Sequence, residues 1–441
     1  MKVKTILLLL LSLFLFIISF LLRDPVLIKF RYSGLILINL IGVIWLIAYL
    51  KHPEKKHLIS KFSILLIVLS LGISSGKQFS FQFKKNFVEN YNKEVLEKYA
   101  SHIIVGFRSE KELNDLLNLP VLGFFITHHN VKKLDLIKSK ELIDSIQTNR
   151  KKLNFPKALI ASDQEGGNVS RLSPPLELQP SLGDMISDNA LLNEELSKKI
   201  NDYADLQASE LNKIGVNLNF SPILDLKYKK EKNPLDLYSR IYKRAIASDP
   251  KIVSFVAEIY SKRLLENKIL PTLKHFPGIG RINEDTHFFN ADLKTSLNDL
   301  EANDLYPFLH IAHNIEYPVI MLSHSTITEL DKESPISISE KGIQEYIRTK
   351  FPISTVLITD DMNMGPIMYR VGGIGNASVD ALNAGVDILL ISYDGEQIYE
   401  ALYALCKADE SKKLNQARIL ESDKRIKRLL FFSFPEIESF K

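Results

Sequence analysis

The chain has 441 residues, 46% of them hydrophobic, enough to bury a large core as one domain or two. Its 56 basic and 52 acidic residues leave a net charge of +4, and no long basic run is interleaved with aromatics, so a nucleic-acid partner is not expected. A single cysteine, Cys406, excludes an intrachain disulfide and a cysteine-based metal cluster.

Three apolar runs open the chain, Thr5 to Leu22, Ser33 to Leu50 and the shorter Phe62 to Ser74. A spanning helix needs about 20 apolar residues, so the first two are long enough and the third is marginal. Lys2 and Lys4 could begin a cleaved signal, but Arg23-Asp24-Pro25 follows the first run in place of small residues, and a second run comes soon after. Residues 1–75 therefore read as a retained anchor with the lipid bilayer as its partner. Lys2 and Lys4 precede the first run, and Lys51, Lys55, Lys56 and Lys61 separate the second from the third. Arg23, Lys29 and Arg31 lie between the first two. If all three runs cross, the positive-inside rule places the rest of the chain outside a bacterial inner membrane, in the periplasm or exterior. If the third does not cross, the rest stays inside.

A polar linker is expected over 76–98, followed by one domain over 99–441. Short Val/Ile/Leu-rich runs then recur: His102–Phe107, Val121–Ile126, Ala158–Ser162, Val216–Phe220, Leu270–Lys274, Val319–Ser323, Val356–Thr359 and Asp387–Ser392. None alternates strictly, as befits strands buried on both faces. Helical patterns separate most of them. Asp188 to Ile214 stops at Gly215, Lys251 to Asn267 carries an apolar stripe, and Ala377 to Ala384 stops at Gly385. Eight such strands match a (β/α)8 TIM barrel, with an open doubly wound sheet as the alternative. Asp163, Ser221, His275, His324, Asp360 and Ser392 each follow a strand run directly, which favours the barrel, whose sites lie at the strands' C-terminal ends.

The densest chemistry is the run Lys274-His275-Phe276-Pro277-Gly278-Ile279-Gly280, followed closely by Asp285-Thr286-His287. A lysine at a buried strand end is costly without a partner or ligand, so a structural role alone is not expected of Lys274. A histidine titrates near pH 6.5 and can give and take a proton, and a neighbouring carboxylate fixes its tautomer. Asp163-Gln164-Glu165-Gly166-Gly167 ends the third run, where a carboxylate can accept hydrogen bonds from sugar hydroxyls and paired glycines admit close backbone approach. Taken alone it reads better as a βα turn with a helix N-cap. Asp360-Asp361-Met362-Asn363-Met364 ends the seventh, and adjacent carboxylates point in different directions, so one suffices to face a ligand.

These motifs resemble, in order and spacing, the bacterial β-N-acetylglucosaminidases of glycoside hydrolase family 3, over roughly Tyr99 to Leu430. The resemblance implies a (β/α)8 barrel acting as an exo-acting, retaining β-N-acetylhexosaminidase. Asp360 would be the nucleophile that forms a glycosyl-enzyme intermediate. His287 would be the acid/base, with Asp285 beside it. Asp163, Arg171, Arg244, Lys274 and His275 would bind the sugar, and the stretch Gly215 to Asp225 would shape the floor. The substrate would be a glycan, an N-acetylglucosamine-containing oligosaccharide or a peptidoglycan fragment. No metal or other cofactor is expected. Three departures stand out: Asn168 for an arginine, Ala245-Ile246-Ala247 between Arg244 and Asp249-Pro250, and Ile279 where the family has a histidine in a mobile loop. A β-glucosidase of the same family, whose acid/base usually comes from a second domain, is one alternative. A membrane-held sugar-binding protein without turnover is another.

Overall fold

The computed structural model describes residues 3–51, 58–228 and 239–436, in two compact units that divide between Asn90 and Tyr91. Lys2, Lys55 and Lys56, which enter the orientation argument, lie outside the described residues.

The first unit is helical. Helix α1 (Val3–Leu21) and helix α2 (Arg31–Lys51) both pack on helix α3 (Leu58–Glu89). Asp24 caps the turn between the first two by accepting from Val26 N at 2.9 Å. Leu15, Leu22 and Ile38 fill the inner seam with Ile18 and Leu71, while Leu7, Phe14, Ile36 and Leu40 face outward. Among the described residues, two helical stretches are long and apolar enough to cross a membrane, Pro25–Lys51 and Ile59–Glu89. The third run thus reaches further than its marginal apolar length suggests: nothing stops its helix, which runs on through Gly76 to Glu89, into the stretch read as a polar linker.

The second unit is an α/β fold with a parallel sheet. Its strands are β1 (Ile103–Gly106), β2 (Gly123–Phe125), β3 (Leu159–Ser162), β4 (Leu218–Asn219), β5 in two pieces (Leu270–Pro271 and Leu273–Phe276), β6 (Val319–Leu322), β7 (Val356–Asp361) and β8 (Ile388–Ile391). One piece of β5 pairs with β4 and the other with β6, and every neighbouring pair is parallel. The sheet thus runs round from one half of β5 to the other and nearly closes on itself, a TIM-barrel-like arrangement. The eight expected runs supply the eight strands, with two differences at the site. β5 continues to Phe276 and β7 to Asp361, so His275 and Asp360 lie inside their strands rather than after them.

Inward-facing residues of the strands, among them Ile104, Phe125, Phe220, Val319, Ile358 and Leu390, form the buried core. Phe125 and Phe220 stack with centroids 5.5 Å apart. Burying each such side chain stabilises the fold by about 1.5–3 kcal/mol. The outer helices begin and end where the sequence supplies caps. Asn193 caps Glu194–Ile214, which closes on Gly215 at φ 90°, and Asp249 caps Pro250–Glu266 with proline in its first turn. At the strands' starting end, fully buried Asp387 receives Arg348 Nη2 and Arg425 Nε, each at 2.9 Å, and Leu357 N at 2.8 Å. That ion cluster, which the sequence did not announce, ties two helices to the sheet at the end where barrels carry stability rather than chemistry.

Candidate active site

At the opposite end, β3, β5 and the segment before Asp249 bring four charges together. Lys274 is 2% exposed, and its Nζ donates to Asp163 Oδ1 and to Glu165 Oε1, both at 2.6 Å. Arg244 forks onto Glu165, with Nη2 to Oε1 at 2.7 Å and Nε to Oε2 at 3.0 Å, while its Nη1 donates to Ser239 O at 2.8 Å. The partner that Lys274 needs is therefore supplied by the protein itself. Burial pushes the Glu165 carboxyl up, but Arg244 and Lys274 more than offset this and hold it at about 2. Glu165 is the hub of the cluster. Its signal in the sequence was its place in the Asp163–Gly167 motif, where the neighbouring aspartate drew the functional reading.

Gly166 and Gly167 take φ values of 93° and 59° and turn the short hairpin Gln164–Gly166/Val169–Ser170. A Cβ on Gly166 would lie 2.2 Å from Pro180 O, so the pair serves a turn and close packing rather than approach of a ligand. Arg171 stays out of the buried cluster. Its side chain is exposed, and its backbone N–H donates to Asp163 O at 3.0 Å.

His275 points its Nδ1 at Asp225 Oδ2, 2.7 Å away, and Asp225 is fully buried. The other Asp225 oxygen accepts from Ile279 N at 2.7 Å. A carboxylate at the end of the Gly215 to Asp225 stretch thus fixes both the imidazole and the start of the following loop, a more specific task than shaping the floor. Gly278 turns that loop at φ 105°, donating to His275 O at 2.7 Å. Ile279 is buried against Ile241, Ala245 and Ile282. The residue that departs from the resemblance therefore has an apolar seat, built partly by the Ala245 that departs with it.

The loop then delivers the dyad. His287 Nδ1 lies 2.8 Å from Asp285 Oδ1, which also accepts from His287 N at 3.1 Å. Asp285 is fully buried, whereas the His287 side chain is 42% exposed. With Nδ1 committed to the carboxylate, a proton exchanged with a ligand would pass through Nε2. His287 O accepts from Gly365 N at 2.8 Å, which anchors the dyad to the loop after β7.

The two aspartates of β7 have different surroundings. Asp361 is occupied on all sides: it accepts from Ser392 N (2.9 Å), Ser392 Oγ (2.7 Å), Tyr393 N (2.9 Å) and Asn363 N (3.1 Å). Asp360 accepts from Asp361 N at 2.8 Å. Burial pushes the Asp360 carboxyl up, but the imidazoles of His275, His324 and His287 outweigh it and keep it below the usual aspartate range. His275 and His287 come from β5 and the loop after it, and His324 from the end of β6, so they and Asp360 share one mouth. The sequence places His324 directly after a strand run and assigns it no role in the site. It is buried, its Nε2 faces Asp361 O at 3.0 Å and its Nδ1 faces Ser337 Oγ at 2.7 Å. A carbonyl partner requires the proton on Nε2, so His324 donates there, while burial lowers the imidazole's pKa. Chemically, the site offers an ionised carboxylate, a carboxylate-backed imidazole and a set of buried cations, a combination suited to a polyhydroxylated substrate and acid–base work.

The profile of the Glycosyl hydrolase family 3 N terminal domain matches residues 94–429. A β-hexosaminidase of Stenotrophomonas maltophilia (strain R551-3) is 31% identical over 263 residues, covering 59% of this chain and 73% of that protein. A β-hexosaminidase of Idiomarina loihiensis is 28% identical over 332 residues, covering 75% and 92%. Among solved structures, a glycoside hydrolase family 3 β-N-acetylglucosaminidase from Paenibacillus sp. str. FPU-7 superposes with a TM-score of 0.69 at 23% identity, over 78% of this chain and 64% of that one. A family 3 glycosyl hydrolase from Mycobacterium smegmatis gives 0.66 at 24% identity, over 78% and 98%. These two likenesses establish the fold. The family match covers nearly the whole barrel unit and all of the residues gathered at its mouth, and the chain belongs to glycosyl hydrolase family 3 as a glycoside hydrolase.

Proposed function

We propose that the protein is an exo-acting, retaining β-N-acetylhexosaminidase that releases terminal β-linked N-acetylglucosamine from a glycan. The observation that carries this reading is the meeting of Asp360 with His287 at one mouth, beside the cluster of Asp163, Glu165, Arg244 and Lys274. The β-hexosaminidase names of the relatives support the choice of sugar. In this mechanism Asp360, ionised below the usual range, attacks the anomeric carbon and forms a glycosyl ester. His287 gives a proton from Nε2 to the departing oxygen, and later takes one from the water that hydrolyses the ester. Asp285 orients the ring and stabilises its charged form. His275, fixed by Asp225, and Lys274, fixed by Asp163 and Glu165, hold the sugar over the nucleophile. Arg171 would meet the substrate from the rim.

Release of nitrophenol from the aryl β-N-acetylglucosaminide, compared with the aryl β-glucoside, tests the activity. Turnover of the first supports the reading, preference for the second makes it a β-glucosidase, and turnover of neither leaves a sugar-binding protein. A 2-fluoro sugar inactivator should label the peptide containing Asp360, and label on another carboxylate would refute the nucleophile assignment.

The N-terminal helices are proposed to anchor the enzyme in a bacterial inner membrane, with the barrel in the periplasm or outside. Their length and outward apolar side chains support this. Alkaline phosphatase fused after Asn90 should be active and β-galactosidase fused there inactive. The reverse pattern would put the barrel in the cytoplasm.

A further inference from the structure

Directly after the dyad come two aromatic residues, Phe288 and Phe289, and both are half-exposed, at 41% and 49%. Their rings stand at 64° with centroids 6.4 Å apart, an open corner rather than a flat plate. They are not on a loose tip. The N–H groups of Phe288 and Phe289 both donate to Asp285 O at 3.0 Å, so the turn that sets the dyad also sets the rings. The bond from Gly365 N to His287 O fixes that turn against the end of β7, and a Cβ on Gly365 would lie 2.5 Å from Phe288 O. A groove of about 910 Å³ begins beside the pair, at Asn290, Gly365 and Tyr369, and runs between the helices Gly373–Ala384 and Ile398–Glu410.

Chemistry says what such a corner would meet. An acid that protonates a leaving oxygen stands on the side of the leaving group. Since Nδ1 of His287 is held by Asp285, the Nε2 side is the leaving-group side. Large aromatic surfaces left in water beside a ligand site favour a partner with an apolar face and polar edges, which describes a pyranose ring. We infer that Phe288 and Phe289 form a subsite for the leaving group, stacking the sugar ring next to the cleaved bond, and that the groove beyond Tyr369 admits the rest of that glycan. This rests on the reading of His287 as the acid, and extends it from the sugar that is cleaved to the sugar that is released.

The test compares two substrates of the wild-type enzyme and of the double variant Phe288→Ala/Phe289→Ala. One is the β-1,4-linked N-acetylglucosamine disaccharide, whose leaving group is a ring. The other is β-N-acetylglucosaminyl fluoride, whose leaving group is a single atom. The ratio of kcat/KM for disaccharide over fluoride should fall about tenfold in the variant. Phe288→Tyr/Phe289→Tyr, which keeps the aromatic faces, should hold the wild-type ratio. An unchanged ratio in the alanine variant, whether both substrates suffer equally or neither does, overturns the subsite. Each single alanine variant gives the same comparison if the double variant is unfolded. Wild-type hydrolysis of the fluoride but not of the disaccharide also overturns the subsite while leaving the hydrolase reading intact, whereas no turnover of either removes both.

Discussion

Arg281 Nε donates to Asp304 Oδ2 at 2.8 Å and so ties the loop that carries the dyad to a carboxylate with no solvent exposure. Tyr228 OH donates to the same oxygen at 3.2 Å, and Arg281 Nη1 reaches Asp299 at 3.0 Å. Together with Ile279 in its apolar seat, this pair holds the stem of the loop at two points.

The pair has a pH signature. Burial pushes the Asp304 carboxyl above its ordinary value, and Arg281 only partly counters it. A carboxyl raised in the folded state favours folding when protonated. Its contribution is full below the unfolded value of about 3.9 and is lost as pH rises through the raised one. Arg281→Ala leaves Asp304 buried without a counter-ion, with Tyr228 OH still donating to it, at a cost of about 3–5 kcal/mol at neutral pH. Thermal melts should show a deficit in Tm that is large at pH 7 and smaller at pH 4.5. A deficit independent of pH would mean that Arg281 acts through packing alone.

Glu165 gives the opposite sign. Its carboxyl is held at about 2 against roughly 4.3 in an unfolded chain, so its contribution is present above 4.3 and lost as pH falls toward 2. Glu165→Gln should cost about 3 kcal/mol near neutrality and flatten the acid limb of Tm against pH. Because Lys274 and Arg244 lose their common partner, KM for the N-acetylglucosaminide should rise as well. A variant with wild-type melting and a raised KM would assign Glu165 to the ligand instead of to the cations.

Asp360 and Asp361 should fail differently. Asp360→Asn should lower kcat by roughly 10⁴-fold or more while leaving the melting temperature near that of the wild type. Asp361→Asn turns an amide toward donors that now face an acceptor oxygen, and each lost partner costs about 1–3 kcal/mol. Its main effect should therefore be on stability. Activity assays paired with calorimetry separate the two, and equal loss of activity at unchanged Tm for Asp361→Asn would contradict the division of labour.

For the dyad, the diagnostic is the leaving group. His287→Ala should harm substrates with poor leaving groups far more than activated aryl glycosides, whose departure needs little protonation, by up to about 10²–10⁴-fold. Asp285→Asn should give a milder form of the same slope, since it alters the ring's orientation without removing it. A Brønsted plot across a series of aryl leaving groups reads this directly. Equal losses across the series would make His287 a binding residue.

The residues that are local in sequence were legible without a structure. The eight apolar runs, the glycine stops at Gly215 and Gly385, the Lys274-His275 strand end and the Asp285/His287 pair all depend on contacts within a few positions, and pattern and spacing suffice for those. What only the tertiary structure decided is who holds these groups. Glu165 and Arg244 are 79 positions apart, Asp163 and Lys274 are 111 apart, and Asp225 and His275 are 50 apart. Each pairing exists because the sheet curls until the two halves of β5 face different neighbours, bringing distant strand ends to one mouth. The helix boundaries of the N-terminal unit divide the same way: the end of the first apolar run at Leu22 was legible, and its helix ends at Leu21, but the continuation of α3 to Glu89 did not follow from polarity. A sequence records which groups are present and how they are spaced. The partner of a buried charge is fixed by the closure of the sheet, because only there does the cost of removing that charge from water select a counter-ion from elsewhere in the chain.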